Sequence, residues 1–486
     1  MVDTSNSEGE EQKNLFEREV FANLTYKKIF YLLLAFLVLA VFHFYPSMAG
    51  LSSEGQTMIG ILLMAAILWI SEPIPLAVTG LLVMLTQPLL GVLSTDSVFS
   101  SFGNEAVFFL IGAFILASAI EKHGLHRRIA LRFLSFFEQS PRYFTFGIML
   151  ACALMSFIMP EHGVAALFLP IITSVLIVMK VVPKQSNFGK VSMLSVAYGC
   201  SIGSLGTLIG GARNPLTVAF LSEQNITITF FEWMKYSLPI VFLALPLVWL
   251  VLQFSFPLEV EDMTLAKKEI SNQVAKMGSF DRKESVVTGV LFLTIFLWLF
   301  FSHSALGLAG IALLGGSLLF ISGSLEWEDV EKRIPWGVVL LYGGAITLGV
   351  GLQSTGAANW IARQIFSSLE INIFLVIIGL IVFTILLTNV MSNTGAVAVL
   401  LPIGLAVSNS MSNISPLFSS MLIALSGGLA FMLVIATPGN AITYSSGYYS
   451  IRDLFKAGLI ANLICIAVIF LVAVVYWMGV LKLHLV

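Results

Sequence analysis

The chain has 486 residues, 58% of them hydrophobic and 11% charged, with a mean hydropathy of +0.95. That is far more apolar surface than a water-soluble core requires, so the composition excludes a soluble globular protein and points to a polytopic membrane protein. A formal net charge of −2 leaves no basic surface large enough to neutralise a run of phosphates, and nucleic acid is excluded as a partner.

Residues 1–28 are polar and acidic and lack a short apolar core followed by a small-residue cleavage site. They read as a cytosolic N-terminal segment, and the first membrane span is expected to stay in the mature protein. Apolar spans of up to about twenty residues, the length that crosses about 30 Å of hydrocarbon, follow near 29–47, 57–71, 75–93, 105–120, 143–159, 163–180, 191–210 and 235–256. A polar linker at 257–285 divides this first membrane half, 29–256, from a second, 286–486, with spans near 286–303, 305–322, 337–352, 371–390, 395–409, 418–436 and 457–482. The short spans meet at Gly, Pro, Ser and Asn clusters, which predicts broken helices and re-entrant hairpins. Such breaks are tolerated only where protein or a watery cavity satisfies the freed backbone groups. The basic residues of the linker and of EKHGLHRRIALRF (121–133) mark a cytosolic face. The linker's Glu and Lys at helical spacing read as a solvated helix face. Cys152, Cys200 and Cys465 show no pairing or metal-ligand spacing and read as small hydrophobes. Glu72 and Glu105 stand at the ends of spans, where cap or interfacial roles are expected.

The two halves align. MSFIMPEHGVAALFLP (155–170) lies against LTNVMSNTGAVAVLLP (387–402), where 388 − 156, 395 − 163 and 402 − 170 all give 232. The same offset relates Gly112 to Gly344 and Gly124 to Gly356. Downstream, GTLIGGARN (206–214) lies against MLVIATPGN (432–440), where 440 − 214 gives 226. Corresponding Gly- and Pro-interrupted segments in two halves point to the binding site of a transporter. In the second half, Ser392, Asn393 and Thr394 can donate to an anion and offer oxygens to a small hard cation. A helix starting there presents free N–H groups to a carboxylate or sulfate. In ATPGN (436–440), unwound backbone could give carbonyls to Na⁺ while Pro438 and Gly439 keep the helix from closing.

SNT at 392–394, ATPGN at 436–440, SEPIPLAVTGLL at 71–82 and the two-half arrangement resemble the divalent anion:sodium symporter (DASS) family, whose members carry dicarboxylates, tricarboxylates or sulfate. The resemblance covers nearly the whole chain after residue 28. It implies an all-α polytopic fold of two inverted repeats with re-entrant hairpins, a scaffold plus an elevator-type transport domain, and a homodimer. It also implies a Ser-Asn-Thr motif at each hairpin tip, shared between the substrate and two sodium sites. By position, the second sodium site falls on Thr388, Asn393 and Ala436, with Ser392, Asn393, Thr394, Thr437 and Pro438 near the substrate. The first falls on Ser156, Pro160, Glu161 and Gly210. There the chain departs from the family: Pro160, Glu161 and His162 replace Ser-Asn-Thr, and Gly210, Gly211, Ala212, Arg213 and Asn214 replace Gly-Thr-Pro-Pro-Asn.

Glu161 and Arg213 depart together, on segments whose counterparts flank one site. A lone charge at that depth is costly, whereas a hydrogen-bonded pair offsets much of the desolvation. Arg213 therefore reads as a built-in cation beside Glu161 in place of the first Na⁺. Other readings stay open: Arg213 binding the anion through its planar fork, and Glu161 binding Na⁺, carrying a proton or capping its helix. His162 reads either as a substrate donor or as a satisfied hydrogen-bonding group. With no HExxH motif and no nucleophile elbow, an enzyme is not expected. The expectation is a multi-pass protein of the plasma (inner) membrane that performs secondary active transport of small divalent anions. Na⁺ is its coupling ion, it has no enzymatic cofactor, and the choice between sulfate and dicarboxylate is open. The alternatives are a Na⁺-independent or H⁺-coupled exchanger and, from another class, an anion channel with Arg213 in its pore.

Overall fold

The computed structural model describes residues 26–46, 48–366, 372–411 and 413–483. Most of the polar N-terminal segment lies outside the described residues, and Tyr26–Lys28 already belong to the first helix. The first half runs α1 (Tyr26–Phe44), α2 (Ser53–Ser71), α3 (Leu76–Leu89), α4 (Thr95–Phe102), α5 (Glu105–Lys122), α6 (Leu125–Leu134), α7 (Pro141–Met155), α8 (Glu161–Val178), α9 (Asn187–Gly203), α10 (Arg213–Ser222) and α11 (Phe230–Ser255). The linker carries α12 (Thr264–Lys276). The second half runs α13 (Arg282–Phe301), α14 (Gly307–Ile321), α15 (Trp327–Arg333), α16 (Trp336–Ser354), α17 (Ala357–Phe366), α18 (Ile373–Val390), α19 (Asn393–Ser410), α20 (Pro416–Ser426), α21 (Pro438–Tyr444) and α22 (Ile451–Leu471). Among the described residues, ten helical stretches are long and apolar enough to cross a membrane.

The repeat is visible in where helices begin. The starts of α6 and α17, α7 and α18, and α8 and α19 are each 232 apart: 357 − 125, 373 − 141 and 393 − 161. Packing is reciprocal as well. α3 lies along α16, and the counterparts α14 and α5 lie along each other; likewise α8 meets α21 while α19 meets α10. Gly80 and Gly344 touch backbone to backbone, leaving no room for a Cβ on Gly344. Their counterparts at offset 232, Ala312 and Gly112, make the equivalent close contact. Each repeat thus packs its own elements against those of the other, the exchange that a two-fold axis between repeats produces.

Two expected spans are interrupted. The apolar runs 191–210 and 418–436 end as helices at Gly203 and Ser426, and irregular backbone continues to α10 and to the short turn Val434–Ala436. Buried irregular backbone needs partners, and both halves supply them alike. The Asn214 amide donates to the carbonyls of Ser204 (2.8 Å) and Thr207 (2.7 Å). The Asn440 amide donates to Ala430 (3.0 Å) and Leu433 (2.9 Å). Donors and acceptors all correspond at offset 226. Trp233 and Ser237 of α11 satisfy Leu205 and Gly206 in addition. The short helices α4, α6, α10, α15, α17 and α21 had no counterpart among the expected spans, because each is too brief to show as an apolar run.

Linker helix α12 buries Ala266, Ile270 and Gln273 and exposes Lys267 and Lys268. Its Gln273 donates to Ser174 near the far end of α8 (3.1 Å). Glu105 accepts from the Ala309 N–H at the start of α14 (3.1 Å), and Glu72 is the left-handed C-cap of α2. The three cysteines are buried and free.

Candidate functional site

The hairpin tips of both repeats meet at one internal cavity of about 220 Å³. Glu161, His162, Gly210, Arg213, Ser392, Asn393, Thr394 and Pro438 line it, opposite an apolar wall from Leu76 of α3, Leu110 and Phe114 of α5, and Leu341 of α16. Ser156, Thr388, Ala436 and Thr437 are buried behind this lining.

The second tip is built from neutral oxygens. Thr388, on the last turn of α18, places its hydroxyl 2.6 Å from Asn393 Oδ1 and 2.9 Å from the Gly427 carbonyl. One hydroxyl proton serves these two acceptors, so three oxygens share a single proton, a set suited to a small hard cation. Ser392 Oγ accepts from the Gly395 N–H (3.1 Å) and caps α19. Thr437 Oγ1 accepts from the Asn440 N–H (3.0 Å) and caps α21. Capping uses these hydroxyls as acceptors and leaves their own protons for an anion. Ala436 closes the turn that precedes α21.

The first tip is built from charge. α8 and α10 start after Pro160 and Ala212, which give no side-chain cap, and Glu161 and Arg213 occupy their first positions. Glu161 suits a helix N-terminus, but Arg213 opposes the dipole of α10 and needs compensation. Its Nη1 lies 3.7 Å from Glu161 Oε1, an ion pair longer than a hydrogen bond. Its Nη2 donates to Ser204 Oγ at 2.6 Å, and Nε has no partner. Arg213 is 1% exposed and Glu161 8%. Asn393 Nδ2 reaches the same Oε1 at 3.4 Å, joining the two tips, while Glu161 Oε2 is unpartnered. The Glu161 N–H donates to the Gly210 carbonyl (3.1 Å). Ser156, the counterpart of Thr388, has a buried hydroxyl with no partner. His162 is exposed, and among the described residues none hydrogen-bonds its ring.

Four neighbours were not among the expected site residues: Ser204, Gly427, Gly428 and Asn389. A Cβ on Gly428 would collide with Arg213 Nη2, and one on Gly211 would sit 2.6 Å from Nη1, so glycines wall the guanidinium slot. Asn389 accepts from the Met432 N–H (2.9 Å). The one trace of them in the sequence is the Gly427-Gly428 doublet within an apolar run, and a doublet alone does not say what its backbone meets.

A multi-span helical protein whose cross-packed repeats bring two broken-helix tips to one internal cavity is a secondary active transporter. Residues 26–483 match the family model described as the sodium:sulfate symporter transmembrane region, and the chain belongs to that family. It is therefore a multi-pass integral membrane carrier of divalent anions, not an enzyme. It is 31% identical over 465 residues to the sodium-dependent dicarboxylate transporter SdcS of Staphylococcus saprophyticus, covering 90% of this chain and 88% of that protein. It is 30% identical over 463 residues to SdcS of Staphylococcus aureus, with the same coverage. In fold it is similar to MtrF of Neisseria gonorrhoeae, with a TM-score of 0.57 at 12% identity, covering 92% of this chain and 94% of that one. It is also similar to the YdaH transporter of Alcanivorax borkumensis, with a TM-score of 0.53 at 14% identity, covering 80% and 90%.

Proposed function

We propose that this carrier moves a small dicarboxylate or sulfate across the plasma membrane with Na⁺ bound at the second tip alone, the first Na⁺ being replaced by the Arg213 guanidinium held on Glu161. The buried pair of the first tip carries this reading: it holds a fixed guanidinium, braced by a carboxylate, beside the anion cavity where the repeat counterparts, Gly439 and Asn393, carry no charge. Na⁺ is assigned to Thr388, Asn393 and Ala436. The anion is assigned to Ser392, Asn393, Thr394, Thr437 and Pro438, with His162 donating from the opposite tip. Ser156 and Gly210 keep the shell of the first cation site around the pair. The dicarboxylate reading takes support from the named activity of the SdcS relatives.

Transport is proposed to be of the elevator kind in a homodimer. The tip-bearing helices α7–α10 and α18–α21 would move against a scaffold that includes α3, α5, α14 and α16, with apolar side chains of α3, α5 and α16 forming one cavity wall. A second reading, H⁺ in place of the first Na⁺, is favoured by the unpartnered Oε2 of Glu161.

Uptake of radiolabelled succinate and sulfate into proteoliposomes, titrated with Na⁺ at fixed pH, tests the proposal. The expected result is saturable, Na⁺-dependent uptake with a Hill slope near one. A steep dependence needing two or more Na⁺ per cycle overturns the surrogate cation. Equal uptake without Na⁺, driven by an inward proton gradient, transfers the role to Glu161.

A further inference from the structure

A second cavity, of about 340 Å³, opens between α6 and α13 and shares no lining residue with the substrate cavity. Ile129, Ile158, Leu291, Phe292 and Ile295 make its wall almost wholly apolar. Phe292 is 69% exposed on a membrane-spanning helix, so the cavity opens towards acyl chains rather than water. Helix α6, LHRRIALRFL, brings Arg127, Arg128 and Arg132 to this place and no acidic residue, the pattern of a basic helix lying on a membrane surface.

The arginines divide the work. Arg128 is fully engaged: it pairs with buried Glu284 and donates to the carbonyls of Gly278 (3.0 Å), Met277 (3.1 Å) and Ser279 (3.3 Å). It therefore builds the floor and has nothing left for a ligand. Arg132, one turn further along α6, lines the same cavity, is exposed, and pairs with no carboxylate among the described residues. Arg127 is likewise exposed. An unspent guanidinium at the rim of an apolar cavity that faces the bilayer matches a ligand with an anionic head and a hydrocarbon tail.

We propose that this cavity is a binding site for an anionic phospholipid, with an acyl chain among Ile129, Ile158 and Ile295 and the phosphate on Arg132. A zwitterionic lipid offers the same tail without the net charge that Arg132 and Arg127 match. Ile158 stands two residues before Pro160, so the bound lipid touches the strand of backbone that enters the first tip. The basic cluster belongs to one repeat only, since α17, the counterpart of α6, carries a single arginine, Arg363.

The test is native mass spectrometry of the full chain released from detergent, titrated with phosphatidylglycerol or with phosphatidylcholine of the same acyl chains. Retention of phosphatidylglycerol over phosphatidylcholine is expected. Arg132→Gln should weaken phosphatidylglycerol about five-fold, the value of one basic residue at an anionic surface. Ile129→Trp, which adds bulk at the exposed mouth, should weaken both lipids. Both positions are on the surface, so folding is not at stake. Equal retention of the two lipids, or an Arg132→Gln protein that binds phosphatidylglycerol as the wild type does, overturns the proposal. Displacement of phosphatidylglycerol by millimolar inorganic phosphate overturns it too, by making the site one for free phosphate.

Discussion

The two tips occupy equivalent places in a repeated fold and solve the same problem with different chemistry. At the second tip the Thr388 hydroxyl lies within hydrogen-bonding distance of Asn393 Oδ1 and of the Gly427 carbonyl, all neutral oxygens. At the position corresponding to Asn393 the first tip has Glu161, and the guanidinium of Arg213 lies where the second repeat has Gly439. The backbone beneath is alike in both: Asn214 and Asn440 each clamp two carbonyls of an unwound segment at the same offset. Backbone satisfaction is thus fixed by the repeat, because unsatisfied carbonyls in the membrane are costly in either half. The charge placed on that frame is free to differ.

The comparison breaks most sharply if the pair is split. Arg213→Gln leaves the Glu161 carboxylate buried beside no cation, and losing one partner of a buried pair costs about 3–5 kcal/mol. Thermal unfolding in detergent should show a large drop, and succinate uptake should fall with it. The double variant Glu161→Asn with Arg213→Gly gives these two positions the side chains of their counterparts, Asn393 and Gly439. It should recover most of the lost stability and raise the Na⁺ Hill slope from one towards two. A double variant no more stable than Arg213→Gln would mean that the two charges are not coupled.

The second tip gives the next largest effect. Thr388→Val keeps the side-chain shape and removes the hydroxyl that Asn393 and Gly427 share. The half-saturating Na⁺ concentration should rise by about 10–100-fold, the usual range when the shell around a metal is disturbed, with less change in maximal uptake. The matching change at the first tip, Ser156→Ala, removes a hydroxyl without a partner and should leave the Na⁺ curve unmoved. Equal shifts from both changes would erase the asymmetry.

Much of this was legible in the sequence, for reasons particular to certain residues. The offset of 232 could be read because Gly112, Gly344, Pro170 and Pro402 are punctuation that apolar drift does not reproduce, and the helix starts fall on it. Glu161 and Arg213 stood out because ionisable groups are rare in such stretches, and they do lie together. Ser204, Gly427 and Gly428 were not legible. Their contributions are a hydroxyl, a carbonyl and an absent side chain, none distinctive without knowing where the chain folds back. The ends of spans 191–210 and 418–436 were misplaced because apolar residues continue past the last helical turn. There the unwound backbone is satisfied by Asn214, Asn440 and Trp233 rather than by the helix. Helix α6 was visible as a basic stretch, but its cavity depends on α13, far along the chain.

A smaller asymmetry lies outside the spans. Lys122 at the end of α5 pairs with Asp329 on α15, which also accepts from the Glu326 N–H and from Arg333. Their counterparts at offset 232, Ser354 and Ser97, carry no charge, so this strap joins the repeats on one side only. The bond from Lys122, with these other donors, holds the Asp329 carboxyl down to about 2, against an ordinary value of 3.8. A carboxyl lowered in the folded state stabilises it above the unfolded value and loses that contribution as pH falls towards the folded one. The strap should therefore act fully at pH 7 and fade between about pH 4 and 2. Because Asp329 is partly exposed, its share is about 0–1 kcal/mol. Asp329→Asn should lower the melting temperature slightly at pH 7 and by progressively less below pH 4. A deficit that stays constant down to pH 2 would show that the side chain acts through packing rather than charge.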